Sequence, residues 1–452
     1  MKKWMAMLLC CALMMGLAAC GAGSGGPKGS ASPQERALHF EVVTQTYEDE
    51  YKAEDGTVLL AERYELPTLE LRTEDGESYT PAENVTAGGS AAESAQIAAQ
   101  SAFNTEMSNV LAGLRSEASQ MAAEGKELYE TTGSAGFTGA SCWVNELSVT
   151  STYMTEEGLL SVVAENYTYY GGAHPNSVSR TWSFDLTTGE FLTLDALSSE
   201  EGDINGDSLQ TSIYQNIVSQ IDSQGLSEAY FDDYDSYLSD FPAFATFYFT
   251  ATGMTVAFDT YIIAPYAAGP QVFDVPYSVF YSALNERAKT LLEVPQEQIV
   301  LSDFDTAATL WSWLFITTPP TEDTPDEMEI NGYTYYQADI PGVSTLADMR
   351  ELMYRYFDKA LADRWLEETE RYAEADGRLY VLSADRGSND SIMDETCSVA
   401  LDGESGTVTQ TVTYGEWDEA TQSRAATGEE TFAYPFTLVD GHAVFSAFPY
   451  PY

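Results

Sequence analysis

Basic residues are scarce in this sequence, and their scarcity limits the partners that the protein can have. The 452 residues include 20 Lys and Arg against 71 Asp and Glu, which gives a formal net charge of −51. A field of this sign and size repels nucleic acids and anionic polymers, and it attracts cationic proteins and metal ions. We therefore expect no nucleic acid partner. In an alternative interpretation, the acidity only keeps an exported protein soluble.

Cysteine is also scarce. Cys10, Cys11 and Cys20 fall within the first 20 residues, so the rest of the chain holds only Cys142 and Cys397. Two cysteines so far apart exclude a disulfide framework, and they offer little to a thiol nucleophile or a metal cluster. We predict no cofactor and no metal ligands.

Histidine is rare, and the sequence signatures of common enzymes are missing. The three histidines, His39, His174 and His442, lie in no His-rich spacing. The sequence has no Gly-x-Ser-x-Gly elbow, His-Glu-x-x-His pair or phosphate-binding glycine loop. A catalytic pair among the 71 acids is neither excluded nor located. We therefore assign no catalytic residue and expect a protein that is not an enzyme.

Long apolar runs are missing except at the start of the chain. Lys2 and Lys3 precede an apolar run at residues 5–15, and Leu17-Ala18-Ala19-Cys20 follows it. A positive start, a short apolar core and small residues before a cleavage point predict a secretory signal at residues 1–20. This segment is too short for a membrane-spanning helix, and nothing after it is expected to cross a membrane.

The tetrad that ends at Cys20 resembles the lipobox of bacterial lipoproteins, in which the cysteine sulfur is acylated. Glycine-rich residues 21–26 follow it, and we assign 21–35 to a flexible tether. The alternative is an ordinary signal peptide with a chance cysteine. The resemblance implies lipidation at Cys20 and a location outside the bacterial cell membrane, with the lipid as the membrane contact.

The first two thirds of the chain show the pattern of an α+β fold. A helix is predicted to begin at Ser90 and end at Gly125, and a second helix is capped by Asp207 or Ser208 and ended by Gly225. The first helix carries apolar residues at steps of three and four: Phe103, Met107, Val110, Leu114, Ala118 and Met121. Because hairpins outnumber helices, we predict mixed or antiparallel sheets with long packing helices.

A Pro- and Thr-rich stretch at residues 317–325 predicts a stiff polar linker between two bodies. After the linker, Ser344 is expected to cap one long helix, and short strands form a meander after Gly377. The predicted parts are a first subdomain, a second subdomain, a connector that includes the linker, and a C-terminal domain: 36–150, 151–290, 291–326 and 327–452.

The sharpest motif is Tyr-Tyr-Gly-Gly-Ala-His-Pro at residues 169–175. It is followed by Phe184–Gly189, Tyr261, Ala264–Pro270 and Val275–Tyr277. Together these segments resemble an extracytoplasmic domain shared by the lysozyme-sensing anti-sigma factor RsiV and the peptidoglycan deacetylase PdaC. The part before the motif resembles the companion domain of those proteins. The resemblance implies a lysozyme-like partner, and it implies neither deacetylation nor sigma-factor control, which belong to other segments of those proteins.

Seven residues form the candidate binding or structural motif: Tyr170, Gly171, Gly172, His174, Pro175, Tyr261 and Tyr266. The two glycines permit backbone geometry closed to other residues, and Pro175 fixes the chain that leaves the turn. His174 could hold the turn by hydrogen bonding, contact a ligand, or act as a general base or metal ligand. We adopt the structural role.

Two acidic stretches raise the question of calcium. Asp203–Asp207 imitates the start of a calcium loop, but Ser208 and Tyr214 stand where the pattern needs a glycine and an acid. We interpret this stretch as a helix-capping turn. Residues 230–240 mix aspartate with tyrosine, and they could bind calcium, meet a basic partner or form a solvated loop, which is the interpretation we prefer.

In the C-terminal part, Tyr354–Lys359, Asp376–Val381 and Ala384–Ser388 resemble the IseA family of secreted inhibitors of DL-endopeptidases, which cut wall peptides. The resemblance implies a domain that docks on a peptidoglycan hydrolase through a candidate loop: Asp385, Arg386, Gly387 and Ser388. The alternative is that this segment is only a tight turn between strands.

Two classes of function remain open on the sequence. The first is a non-catalytic cell-surface lipoprotein that binds a cationic wall-lytic protein, inhibits a peptidoglycan hydrolase, or does both. The second is an enzyme that modifies peptidoglycan with carboxylates and His174. A third, simpler option is a surface lipoprotein that binds glycan. We favour binding, because the sequence offers no nucleophile, metal set or phosphate site.

Overall fold

The computed structural model describes residues 38–80, 91–137, 142–225, 229–322, 324–387, 389–418 and 423–451. The predicted signal, Cys20 and the tether lie outside these ranges. Within them, no helix is both long enough and apolar enough to span a bilayer. The α+β class with several sheets and long helices is confirmed.

The first body is a six-stranded sheet covered by one long helix. Its strands lie in chain order, and all neighbours are antiparallel except β2 and β3, which are parallel. The elements are β1 (Leu38–Lys52), β2 (Val58–Thr73), α1 (Ala91–Thr132), β3 (Trp143–Met154), β4 (Leu159–Tyr169), β5 (Asn176–Asp185) and β6 (Glu190–Phe191).

Helix α1 buries the predicted apolar stripe, including Phe103, Leu114 and Met121, against the sheet. The predicted stop at Gly125 is wrong, because the helix continues to Thr132. Gly125 is buried, and a Cβ atom there would lie 3.5 Å from the Trp143 ring. Gly125 therefore lies inside the helix, next to Trp143, instead of ending it.

The middle body packs two layers of short elements around its own apolar core. Strands β7, β8 and β9 form an antiparallel three-stranded sheet. The elements are α2 (Leu194–Leu197), α3 (Leu209–Gln224), α4 (Tyr234–Ser239), α5 (Phe241–Phe244), β7 (Thr246–Phe249), β8 (Gly253–Phe258), β9 (Gln271–Pro276), α6 (Tyr277–Phe280) and α7 (Glu286–Leu292). Ser208 caps α3 and Gly225 ends it with φ of 62°, so both predicted boundaries are confirmed.

Strand β4 belongs to two cores at once. Leu160 and Val162 face α1, whereas Leu159 packs into the core of the middle body. The Ser161 hydroxyl oxygen accepts a hydrogen bond of 2.9 Å from the amide of Phe249. The predicted boundary between residues 150 and 151 therefore needs correction, because it cuts β3 inside a continuous sheet that both predicted subdomains share.

The C-terminal body combines three helices with two antiparallel four-stranded sheets. Its elements are α8 (Gln296–Phe315), β10 (Glu327–Ile330), β11 (Tyr333–Gln337), α9 (Leu346–Tyr356), α10 (Lys359–Glu368), β12 (Tyr372–Ala375), β13 (Arg378–Leu382), β14 (Ile392–Asp402), β15 (Ser405–Asp418), β16 (Ser423–Val439) and β17 (His442–Phe445). Of the meander predicted after Gly377, β14 to β17 pair in chain order, whereas β13, its first predicted strand, lies between β11 and β12 in the other sheet.

The prediction of a connector at residues 291–326 is wrong, because helix α8 occupies most of this segment. This helix buries Val300, Phe304 and Leu310 in the C-terminal core, so it belongs to that body. The predicted linker at residues 317–325 also packs on the C-terminal body. The amide of Asp339 donates a hydrogen bond of 2.9 Å to the Pro320 carbonyl oxygen.

The single long helix predicted after Ser344 is two helices. Thr345, not Ser344, caps α9 in a capping box with Asp348. The chain then leaves the helix at buried Phe357, and the amide of Asp358 donates to the Phe445 carbonyl oxygen at 2.9 Å. The Asp358 side chain caps α10. A long-range contact with β17 therefore breaks the helical pattern.

A buried carboxylate joins α8 to the β16–β17 turn. Asp303 accepts hydrogen bonds from the Ala443 amide at 2.7 Å and from His442 Nδ1 at 3.0 Å. Its side chain is 4% exposed, whereas that of His442 is 44% exposed. The bond to Asp303 raises the pKa of His442, and nearby Lys289 and Glu286 act in opposite directions.

We predict that Gly253→Ala destabilises the middle body. A Cβ atom at this position would lie 2.1 Å from the Val275 carbonyl oxygen of the paired strand. The substitution should lower the free energy of unfolding by about 1–3 kcal/mol, as overpacking usually does. Gly113→Ala is the control, because Gly113 lies within α1 with open space around it and should gain about 0.5–1 kcal/mol. Urea unfolding followed by circular dichroism measures both, and an unchanged Gly253→Ala midpoint would contradict the packing described.

We also predict that the Asp303–His442 contact makes stability depend on pH. Because the pKa of His442 is raised in the folded state, its contribution is complete below the ordinary value near 6.5 and is lost as pH rises through the raised value. The effect should stay under about 1 kcal/mol, since the imidazole is partly screened by solvent.

Melting temperatures at pH 5.5 and 8.5 test this prediction. His442→Gln should reduce the difference between the two temperatures, and the control His39→Gln, at an exposed residue, should leave it unchanged. An identical difference in wild type and His442→Gln would rule out the proposed role of the pair.

Candidate functional site

Two loops from different bodies meet at one end of the six-stranded sheet. The first, residues 170–175, joins β4 to β5, and the second, residues 259–270, joins β8 to β9. The Tyr266 hydroxyl donates a hydrogen bond of 3.1 Å to the Pro175 carbonyl oxygen. The rings of His174 and Tyr266 stack with centroids 3.8 Å apart. The structure therefore brings together motif residues that lie about ninety positions apart in sequence.

The first loop depends on its glycines. Gly171 has φ of 76°, which favours glycine, and a Cβ atom there would lie 3.0 Å from Trp143 Nε1. The Tyr169 hydroxyl donates a hydrogen bond of 3.2 Å to the Gly172 carbonyl oxygen. The loop thus turns tightly over the Trp143 ring, and its residues 170–174 are exposed.

The second loop presents Tyr261 in an unusual conformation. This residue has φ of 70° without being glycine, and 57% of it is exposed. Its amide donates to the Ala264 carbonyl oxygen at 3.2 Å. Asp259, whose pKa is raised by burial, accepts a hydrogen bond of 2.9 Å from the Ser179 amide of β5. Left-handed backbone at a large side chain costs energy and is often found at functional positions.

Tyr170, the first residue of the loop at 170–175, is also an exposed aromatic residue. Its ring meets Trp143 edge-on at 5.8 Å, and 43% of the residue is exposed. Partial burial raises the pKa of Tyr170, and the charges of Glu117 and Glu124 on α1 raise it further. We call Tyr170, His174, Tyr261 and Tyr266 the aromatic platform.

Within the aromatic platform, His174 stacks on Tyr266, whose ring also lies 5.6 Å from that of Tyr261. Its Nδ1 is 3.1 Å from the Pro175 carbonyl oxygen, and its ring covers Tyr266 while remaining exposed to solvent. Among the described residues it forms no ion pair with a carboxylate. This geometry fits the predicted structural role and leaves one ring face available for contact.

A row of buried polar residues crosses the six-stranded sheet under α1, and it was not predicted from the sequence. Glu62 pairs with Asn145, and Asn145 pairs with Thr168, so three neighbouring strands each contribute one polar side chain under α1. Asn166 donates to the Asn145 side-chain oxygen at 3.1 Å and accepts from Arg180 at 3.0 Å. Burial raises the pKa of Glu62. Polar residues at alternate positions of otherwise apolar strands are the signal that could have revealed this row.

The predicted capping turn at residues 203–207 is confirmed. An Asp203 carboxylate oxygen accepts hydrogen bonds from the amides of Asn205 and Asp207 at 2.8 and 2.9 Å. The other acidic stretch is tied to α3, because the Tyr214 hydroxyl donates to Asp235 at 2.8 Å. Over the described residues, no three His, Cys, Asp or Glu side chains are grouped to hold a metal ion.

The candidate inhibitor loop lies far along the chain, in the C-terminal body. Asp385 accepts two hydrogen bonds of 2.6 Å from the amide and hydroxyl of Thr318. Buried Arg371 donates to the carbonyl oxygens of Thr317 and Ala384. Arg386 and Gly387 are exposed, and Ser388 lies outside the described residues. The base of the loop is anchored, and its tip faces solvent.

Comparison with known proteins identifies one domain. No curated protein matches the chain. A member of the DUF3298 family from Bacteroides fragilis is 14% identical, with a TM-score of 0.36 over 57% of this chain and 97% of its own. A DUF3298 family protein from Pseudomonas aeruginosa is 13% identical, with a TM-score of 0.31 over 56% of this chain and 97% of its own. Residues 203–278 match the family described as "Protein of unknown function (DUF3298)", so the chain carries a DUF3298 domain that includes Tyr261 and Tyr266.

Proposed function

We propose that this protein is a non-catalytic, lipid-anchored binding protein of the bacterial cell surface, attached through Cys20. Its aromatic platform would contact a cationic wall-lytic protein of the lysozyme type. The observation that carries the proposal is the stack of His174 on Tyr266, which holds exposed aromatic side chains from two bodies in one place. The resemblance of the motif to the RsiV and PdaC domain supports the choice of partner.

The geometry of the aromatic platform suits binding. Tyrosine gives a large contact area at low cost in conformational entropy, and a surface that is already rigid loses less on association. The bonds from Tyr266 to Pro175 and from Ser179 to Asp259 fix both loops before any partner arrives. The left-handed backbone at Tyr261 turns its ring outward, where a partner can reach it.

The charge of the protein suits a basic partner. Glu117 and Glu124 lie near Tyr170, and the whole chain carries a net charge of −51. At physiological ionic strength, charges act over a Debye length of about 8 Å, which is long enough to steer a docking protein. Such steering accelerates association more than it tightens the complex.

A second function is proposed for the C-terminal body, as an inhibitor of a peptidoglycan hydrolase in the manner of the IseA family. The anchored loop supports this proposal, since Asp385 and Arg371 fix its base while Arg386 and Gly387 remain exposed. A rigid, protruding loop is suited to a cleft. The same bonds also fit a purely structural turn, and substitution of Arg386 separates the two, because only the inhibitor role makes hydrolase inhibition depend on its side chain.

We predict that lysozyme binds the full chain at low salt and that binding weakens strongly at 0.5 M salt. Tyr261→Asn removes the exposed ring with a residue that tolerates left-handed backbone, and it should weaken binding by at least fivefold. Tyr333→Asn is the matched control, because Tyr333 is 60% exposed on β11 of the C-terminal body and should have no effect. Surface plasmon resonance measures lysozyme binding to the wild type and to both variants. Absence of lysozyme binding at every salt concentration would refute the choice of partner.

We further predict that the purified protein releases no sugar, acetate or amine from peptidoglycan. His174→Ala should therefore leave the background of a digestion assay unchanged, because the histidine contributes contact and stacking instead of proton transfer. Chromatography of the digest is the readout, with a known wall hydrolase as the positive control. Product release that disappears in His174→Ala would establish the enzyme alternative.

A further inference from the structure

A groove opens on the C-terminal body, well apart in sequence from the aromatic platform. Its volume is about 410 Å³, within the range of roughly 300–1,000 Å³ that ligand pockets occupy. Side chains of α8 and α10 form its walls, and residues 446–449 after β17 close one side.

The walls of the groove are aromatic and held in position. The rings of Trp311 and Phe315 lie 5.1 Å apart, and Phe315 meets Trp365 edge-on at 5.9 Å. Trp311 also contacts Tyr450 at 5.2 Å. Phe448, only 6% exposed, supports the surface from below. A preformed aromatic surface of this kind offers burial to an apolar group without reorganisation of the protein.

Among the residues that the structure describes, Arg364 is the one charged residue that lines the groove. It is exposed, and among the described residues its side chain takes part in no ion pair or hydrogen bond. The neighbouring carboxylate of Asp363 is engaged elsewhere, with Arg350 at 3.0 Å and the Tyr354 hydroxyl at 2.6 Å. The Arg364 guanidinium is therefore available to a carboxylate from outside the chain.

We propose that this groove binds the carboxylate end of a peptide whose last side chain is aromatic or large and apolar. A guanidinium group donates two parallel hydrogen bonds to a carboxylate, and such charge-assisted pairs are the stronger kind. The aromatic walls would bury the side chain next to that carboxylate. The inference is independent of the aromatic platform, because it involves a different body and different residues.

Charge complementarity selects this occupant over others. A cationic group would be repelled by Arg364, and a neutral ligand would leave the guanidinium without a partner. A polyanion would meet the negative field of the whole chain. A chain end with one carboxylate satisfies the arginine and carries too little charge to be excluded.

Matched peptides test the proposal on the full chain. N-acetyl-Ala-Phe and its C-terminal amide differ only in the charge of the end group, and N-acetyl-Ala-Gly keeps the charge but lacks the ring. Isothermal titration calorimetry should show the acid binding about 2–5-fold tighter than the amide, as for a solvent-accessible ion pair. It should also show the glycine peptide binding at least fivefold more weakly than the phenylalanine peptide.

Variants assign the effect to the groove. Arg364→Gln lies on the surface, and it should abolish the preference for the acid while leaving affinity for the amide unchanged. Arg355→Gln is the control, since Arg355 is exposed on α9 and does not line the groove. Trp311→Leu should weaken both phenylalanine peptides at least threefold.

Four results would overturn the proposal. The first is equal affinity of acid and amide for the wild type. The second is a preference for the acid that persists in Arg364→Gln. The third is binding of N-acetylglucosamine without binding of any peptide, which would make the groove a carbohydrate site. A concentration-dependent dimer that Trp311→Leu abolishes would likewise replace the peptide with a second copy of the chain.

Discussion

The arrangement of the first two bodies depends on one strand that is buried on both faces. Leu160 and Val162 of β4 pack under α1, while Leu159 enters the core of the middle body. On that second face, the Ser161 hydroxyl oxygen accepts a hydrogen bond from the Phe249 amide. Because the same strand serves two cores, displacement of either body would expose apolar surface of the other. The six-stranded sheet therefore fixes the position of the middle body relative to the first body.

The position of the aromatic platform follows from this layer. Strand β4 ends at Tyr169, and the loop after it emerges where the middle body brings its own loop 259–270 alongside. The stack of His174 on Tyr266 thus depends on the packing of the first body against the middle body. Neither loop could form the aromatic platform alone. A surface built in this way is sensitive to any change in that packing, even where the change is distant from the loops.

Much of the fold could be predicted from the sequence, because amphipathic periodicity and turn residues are local signals. The apolar stripe of α1, the caps of α3 and the C-terminal meander all follow from such signals. The motif residues His174 and Pro175, predicted to belong with Tyr266, do contact it in the structure. The errors arose where a long-range contact outweighed a local preference. Gly125 continues a helix because Trp143 packs against it, and the helix after Thr345 breaks because Asp358 bonds to β17.

Other features carry no local signal. The row formed by Glu62, Asn145 and Thr168 depends on the register of three strands, one of them joined to its neighbour in parallel. The groove at Arg364 depends on two helices and a segment after β17 that lie far apart in the chain. Side chains that cooperate only after folding cannot be grouped by spacing along one sequence.

Helix α8 has a consequence for how the molecule could engage a partner with two attachment points. Its first half contacts α6 of the middle body, and Asp303 and Gln296 on it hold the turn between β16 and β17. Within the described residues, α8 therefore contacts both the middle body and the C-terminal body. The aromatic platform and the groove at Arg364 accordingly lie at a set distance from each other. A bivalent molecule gains avidity only if its own span matches that distance.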